Sequence, residues 1–194
     1  MKGIFITIEG PDGAGKTTQR ELLKEYLEKK GYDVLITRDP GGNPISEAIR
    51  EVILNKDFTE MGYMTELLLY ASARAQLVKE NIKPALDAGQ AVIADRFVDS
   101  SAVYKVNEFA LQGIMPDMTF LMDLDAQEGI SRKKNQAELD RMENEKMEFH
   151  QKVVDGYRML ADMHTERIVK IDATLPIDEI HGIIVGYVEK KLNL

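Results

Sequence analysis

The run Gly10-Pro11-Asp12-Gly13-Ala14-Gly15-Lys16-Thr17 fits the spacing G-x-x-x-x-G-K-[ST]. Glycines in such a turn let backbone N–H groups point inward around phosphate oxygens, and the helix that opens at Lys16 adds the positive end of its dipole. A lysine here reaches the β- and γ-phosphates, and a threonine hydroxyl is a ligand for Mg2+. The nucleotide-binding candidates are Gly10, Pro11, Asp12, Gly13, Ala14, Gly15, Lys16, Thr17 and Thr18. A guanine-specific GTPase needs further signatures. The chain has no N-K-x-D, which favours kinases and ATPases.

Other charged residues fall where such chemistry needs them. Asp95-Arg96 and Arg38-Asp39 each follow a short apolar run. Asp95 could hold Mg2+ through water and Arg96 a phosphate, or the pair could be a strand-end salt bridge. Arg74 lies within the apolar stripe Met64, Leu67, Leu68, Ala71, Ala75, Val78, Ile82, Ala85, with Tyr70 one turn before it. A buried guanidinium needs an anion. Its partner is either an internal carboxylate, Asp95 or Asp99, or a substrate phosphate held bidentately. The stretch Arg132 to Arg141, with Lys133 and Lys134, is a solvated helix face or, in a phosphoryl-transfer enzyme, a lid over about 133–142 that brings in positive charge and excludes water. His150, His164 and His181 share no metal spacing.

The elements that must position these residues follow from the apolar pattern. Strands are expected at Ile4–Ile8, Val34–Thr37, Ala91–Ala94, Phe120–Leu124 and Ile168–Ile171. Helices are expected from Lys16 to Lys30, Pro44 to about Asn55, about Met64 to Ala88, near Gln127 to Arg132, Asp140 to Asp162, and Ile177 to about Leu192. Strands alternating with helices imply a parallel sheet covered on both faces, with ligands beyond the carboxyl ends of its strands. No repeat or linker divides the 194 residues, so a single domain over 1–194 is expected.

The net charge of −8 argues against a non-specific nucleic-acid binder. No stretch is apolar enough to span a bilayer, and the first residues do not form a signal peptide, so a cytoplasmic protein is expected. With no cysteine, disulfides, thiolate metal sites and a Cys nucleophile are excluded.

Taken together these residues resemble the thymidylate kinases of bacterial type. The resemblance runs from Phe5 through Gln19, and over Thr37-Arg38-Asp39-Pro40-Gly41-Gly42, Leu69-Tyr70-Ala71 and Arg74-Ala75-Gln76. It continues over Asp95-Arg96-Phe97, Asp99-Ser100-Ser101, Tyr104, Pro116-Asp117-Met118-Thr119 and Leu139-Asp140-Arg141. It implies a three-layer P-loop kinase fold with a five-stranded parallel sheet and a short lid. It also implies transfer of a phosphoryl group from ATP, with Mg2+, to dTMP, and a homodimer packed through long helices. It assigns dTMP contacts to Asp12 (near the sugar 3′-hydroxyl), Arg38 and Arg96 (phosphate), Tyr70 (stacked on thymine), Arg74 (the base and its surroundings), Ser101 (the pyrimidine edge) and Tyr104 (crowding the 2′-position). Lys16, Arg96 and Asp12, with Lys134 or Arg141 from the lid, are the candidate catalytic residues, and Thr17 and Asp95 the metal ligands.

The chain departs from the family pattern in places. The family usually has Glu where Asp39 stands, Thr where Asn43 stands and Asp where Ala73 stands. Gln136 falls where a basic lid residue is expected. After Tyr104 the family continues with Gln-Gly and a Gly/Arg-rich loop, whereas here Tyr104 runs straight into Lys105-Val106-Asn107-Glu108. Either the loop is deleted or residues are missing from the sequence. The return to the family pattern at Lys105 favours the second, which an intact mass of 21.9 kDa would rule out.

Overall fold

A computed structural model describes residues 3–100, 104–134, 141–143 and 145–194. Ser101, Gln136 and Asp140 lie outside the described residues, and of Tyr104 only the backbone is described.

Five strands form one parallel sheet in the order β2-β3-β1-β4-β5: β1 (Ile4–Glu9), β2 (Val34–Arg38), β3 (Ala91–Asp95), β4 (Met118–Asp123) and β5 (Ile168–Asp172). The central strand β1 is buried along its whole length, because helices cover both faces of a parallel sheet. Its side chains alternate between two cores. Ile4, Ile6 and Ile8 pack with Leu23 and Leu27 of α1 (Lys16–Lys29) and with Ile180, Ile184 and Val188 of α8 (Ile177–Leu192). Phe5 packs with Leu77, Val78 and Ile82 on the opposite face. A third cluster joins Leu121 and Ile168 to Tyr157, Leu160 and Ala161 of α7 (Met147–Met163).

The long apolar stripe forms α3 (Tyr63–Leu77), a π-helical turn (Val78–Ile82) and α4 (Lys83–Asp87) in succession. The π turn carries Asn81, whose side chain accepts a hydrogen bond from Asn43 Nδ2 at 3.0 Å. Asn43 in turn caps α2 (Pro44–Leu54) by accepting from the Ser46 N–H at 2.9 Å. Threonine, usual at this position in the family, is also a competent cap.

Three helical expectations need revision. The segment after β3 forms α5 (Tyr104–Leu111), a helix the apolar pattern did not announce; it is short, and its Phe109 is 86% exposed. The helix near Gln127 is longer than expected, α6 (Ala126–Lys134). The helix expected from Asp140 instead begins at Met147, after a turn at residues 141–143. In that turn Arg141 donates to the Ile53 carbonyl at 2.8 Å and to Glu66, contacts with other helices that a continued helix would compete with.

Candidate functional site

The turn between β1 and α1 is a phosphate-binding loop in shape as well as in sequence. Gly10 has φ 133°, Gly13 φ 76° and Gly15 φ 81°, backbone states that L side chains rarely adopt. A Cβ at Gly10 would lie 2.5 Å from the Met122 carbonyl oxygen, and one at Gly13 would lie 2.3 Å from that of Gly129 on α6. Lys16 folds back over the loop and donates to the carbonyls of Gly10 at 3.1 Å and Pro11 at 2.8 Å. Burial depresses its pKa to about 8, helped by Arg96 and resisted by Asp12, Asp95 and Glu9.

Arg96 closes the site from the end of β3. Its backbone is left-handed at φ 67°, an uncommon state for a residue with a side chain, and such strain clusters at functional sites. The guanidinium donates to Asp12 and, at 3.4 Å, to the Tyr157 hydroxyl. Burial opposes its charge, but Asp12, Tyr157, Asp95 and Glu9 more than offset this and raise its pKa. Burial also pushes the Asp12 carboxyl up, yet Arg96, Lys16 and Lys133 bring it below the usual range. Glu9, fully buried, accepts from the Phe97 N–H at 2.7 Å and from the Tyr157 hydroxyl at 3.0 Å, and so braces the strained turn on both sides.

Arg74 is 1% exposed. Its Nε donates to Asp39 Oδ2 at 2.5 Å, Nη1 to Asn107 and Nη2 to the Phe97 carbonyl at 3.2 Å. The internal partner is therefore Asp39, not Asp95 or Asp99. Asp95 faces Arg20 at 3.7 Å and Asp99 is bound by Arg167. Burial raises the pKa of Asp39 against the opposing pull of Arg74. Tyr70, half-buried, has its phenol pushed up to about 12 by burial and Glu66, and it feels the charges of Arg96, Asp39 and Arg50.

Arg38 lies at the rim and is spent on Glu47, with bonds of 3.2 and 2.7 Å. Lys134 is exposed at the end of α6. Arg141 is tied to α2 and α3 through Ile53 and Glu66, away from the phosphate loop. Lys133, part of an undivided basic run in the sequence, holds Glu143 at 3.0 Å and is a cation of α6 that acts on Asp12.

Thr17 is exposed in the first turn of α1, and Arg20, one turn on, reaches Asp95. A hydroxyl and a carboxylate are oxygen donors of the kind Mg2+ takes. Among the described residues no cluster of three His, Cys, Asp or Glu could hold a metal alone.

One surface was only partly legible in the sequence. A cavity of about 230 Å³ adjoins the loop, lined by Gly13, Thr18, Gln19, Arg132, Thr174 and Leu175 among others. Arg132 donates to the Ala173 carbonyl at 3.3 Å across it. The sequence signals were the loop residues Gly13 and Thr18 and the position of Arg132 in the basic run.

Comparison with known proteins agrees with this geometry. The family model for thymidylate kinase matches residues 8–184. A thymidylate kinase of Geobacillus thermodenitrificans is 46% identical over 208 aligned positions, covering 100% of this chain and 92% of that protein. One of Exiguobacterium is 43% identical over 206 positions, covering 100% and 97%. Both alignments are longer than the 194-residue chain, so these relatives carry residues without a counterpart here. The crystal structure of thymidylate kinase from Ehrlichia chaffeensis superposes with a TM-score of 0.77 at 29% identity, over 97% of this chain and 99% of that one. The glycine loop under Lys16, the arginine turned onto it from β3 and the match across nearly the whole sequence agree, and the chain belongs to the thymidylate kinase family.

Proposed function

We propose that the protein transfers the γ-phosphoryl group of ATP to the phosphate of dTMP, giving ADP and dTDP, as one cytoplasmic kinase domain with a lid over about 133–142. The observation that carries this reading is the convergence of Lys16, Arg96 and Asp12 at the mouth of the phosphate loop, in a chain that matches thymidylate kinases along its length.

The acceptor phosphate has a second pKa of about 6, so it is largely ionised at neutral pH and needs no strong base. The protein's work is then positioning and charge neutralisation. The loop N–H groups and Lys16 hold the donor phosphates. Thr17 and Asp95 would hold Mg2+, which neutralises charge on the phosphates when bound. The adenine enters the cavity beside Arg132 and Thr174. On the acceptor side Arg96 receives the dTMP phosphate and Asp12 lies near the sugar 3′-hydroxyl. Tyr70 stacks on thymine, with Ser101 at the pyrimidine edge and Tyr104 against the 2′-position. Arg38 reaches the phosphate by exchanging Glu47 for it. Arg74 acts mainly through Asp39 and Phe97, which frame the base site. Lys133, Lys134 and Arg141 are the lid cations.

An ADP-release assay across dTMP, dUMP, dCMP, AMP, GMP and thymidine tests this reading. Turnover should be fastest with dTMP; a higher kcat/KM for any other acceptor would reject the assignment.

We also propose a homodimer through α2, α3 and α5, which pack together and expose Val52, Met64, Leu68 and Phe109. Exposed large apolar side chains on packed neighbouring helices are what a protein contact surface offers. Light scattering should give about twice the 21.9 kDa chain mass, and a mass of one chain at micromolar concentration would exclude the dimer.

A further inference from the structure

The turn that follows β3 is held at three points. Glu9 takes the Phe97 N–H and Arg74 takes the Phe97 carbonyl. The third hold comes from the other end of the chain. Val98–Ser100 forms a 3₁₀ turn, and its buried Asp99 meets Arg167, the residue just before β5. The contact is bidentate: Arg167 Nη1 donates to Oδ2 at 2.6 Å and Nη2 to Oδ1 at 2.7 Å. Nη1 also donates to the Thr119 hydroxyl at 2.8 Å, which is 2.7 Å from the hydroxyl of Thr7 on β1. The Arg167 carbonyl accepts from the Thr119 N–H at 2.9 Å. Side-chain exposure is 12% for Arg167 and 6% for Asp99, so the fork operates largely out of water.

Among the described residues the hydrogen bonds of the Arg167 side chain go to Asp99 and Thr119, while Glu166 and Glu9 act on its charge. We infer that Arg167 is a positioning residue for the phosphoryl acceptor, fixing through Asp99 the turn that follows Arg96. The inference rests on the acceptor role proposed above for Arg96. A planar fork on a carboxylate fixes orientation as well as distance, which a lysine ammonium at the same place cannot do. Without it Val98–Ser100 keeps its hold at Phe97 and pivots about it. The acceptor then loses alignment, while the donor site keeps its contacts.

The test is steady-state kinetics of the full chain, with ATP and dTMP varied separately, for wild type, Arg167→Met, Arg167→Lys and Asp99→Asn. Arg167→Met should raise KM for dTMP about tenfold with KM for ATP unchanged, and Arg167→Lys should recover only part of the loss because charge returns without the fork. Val188→Ala, in the α1/α8 core away from the turn, is the control for lost stability and should leave both KM values alone. If Met at 167 prevents folding, Arg167→Lys and Asp99→Asn carry the same comparison. Equal shifts in the two KM values, or a full recovery by lysine, would overturn the inference while leaving the enzyme a dTMP kinase. Wild-type protein without dTMP-dependent turnover would overturn the functional reading itself, and this inference with it.

Discussion

Lys16→Ala is expected to lower kcat about 10³-fold, or about 4 kcal/mol of transition-state stabilisation, while the protein still folds. Among the described residues the lysine ammonium is held by two loop carbonyls and Asp12, none of them in the apolar cores, so its removal leaves those cores intact. Its depressed pKa gives a second readout. In the free enzyme the ammonium is charged at pH 7 and largely neutral above the pKa of about 8. Bound triphosphate favours the charged form and draws a proton back. ATP binding near pH 8.5 should therefore take up a proton, detectable by calorimetry in buffers of different ionisation enthalpy. Binding near pH 7 should show none from this group, and Lys16→Ala should show none at either pH. Between about pH 8 and the ordinary lysine value of 10.5 the unfolded chain binds this proton more tightly than the folded one. The burden on the fold is present at neutral pH and relieved as pH rises through that window. Near-normal turnover in the variant would remove Lys16 from the mechanism.

Asp39→Ala is expected to be the most destabilising single change at the site, by about 3–5 kcal/mol, because it leaves the Arg74 guanidinium buried without its carboxylate. For a chain of this size that is a fall in Tm on the order of 10 °C. The damage should reach function too. Arg74 joins Asp39 from the end of β2, Phe97 from the turn after β3 and Asn107 of α5, so loss of the pair loosens three segments around the acceptor together. Asp39→Asn keeps the shape and should fall in between. Differential scanning calorimetry decides the matter, and a Tm within 2 °C or so of wild type would show that Arg74 finds another anion.

What could be read without coordinates divides along physical lines. All five strands were legible because a strand covered on both faces is a short unbroken apolar run. The boundaries were within about two residues even at β4, where Met118 and Thr119 extend the strand toward its start. The phosphate loop was legible because its chemistry is consecutive in sequence. That Arg74 needs an anion was also legible, from its place in an apolar stripe. Which anion was not, because Asp39 lies on another element and periodicity carries no information about pairs between elements. Helix α5 was missed because eight residues with an exposed phenylalanine carry too little amphipathic signal. Arg132 and Lys133 were read as parts of one basic run. Only the packing of α6 against the loop separates the residue facing a cavity from the one facing Asp12.

That packing has a consequence for the phosphate loop. The backbones of Gly13 and Gly129 touch with no room for a methyl between them: a Cβ on Gly129 would lie 2.5 Å from the Asp12 carbonyl oxygen. The loop keeps its curve partly because a helix that enters the chain more than a hundred residues later leans on it. Its eight residues are thus not a portable cassette. Transplanted to a host without a matching bare spot on a neighbouring helix, they would carry the right letters but lack the buttress that keeps the loop in shape.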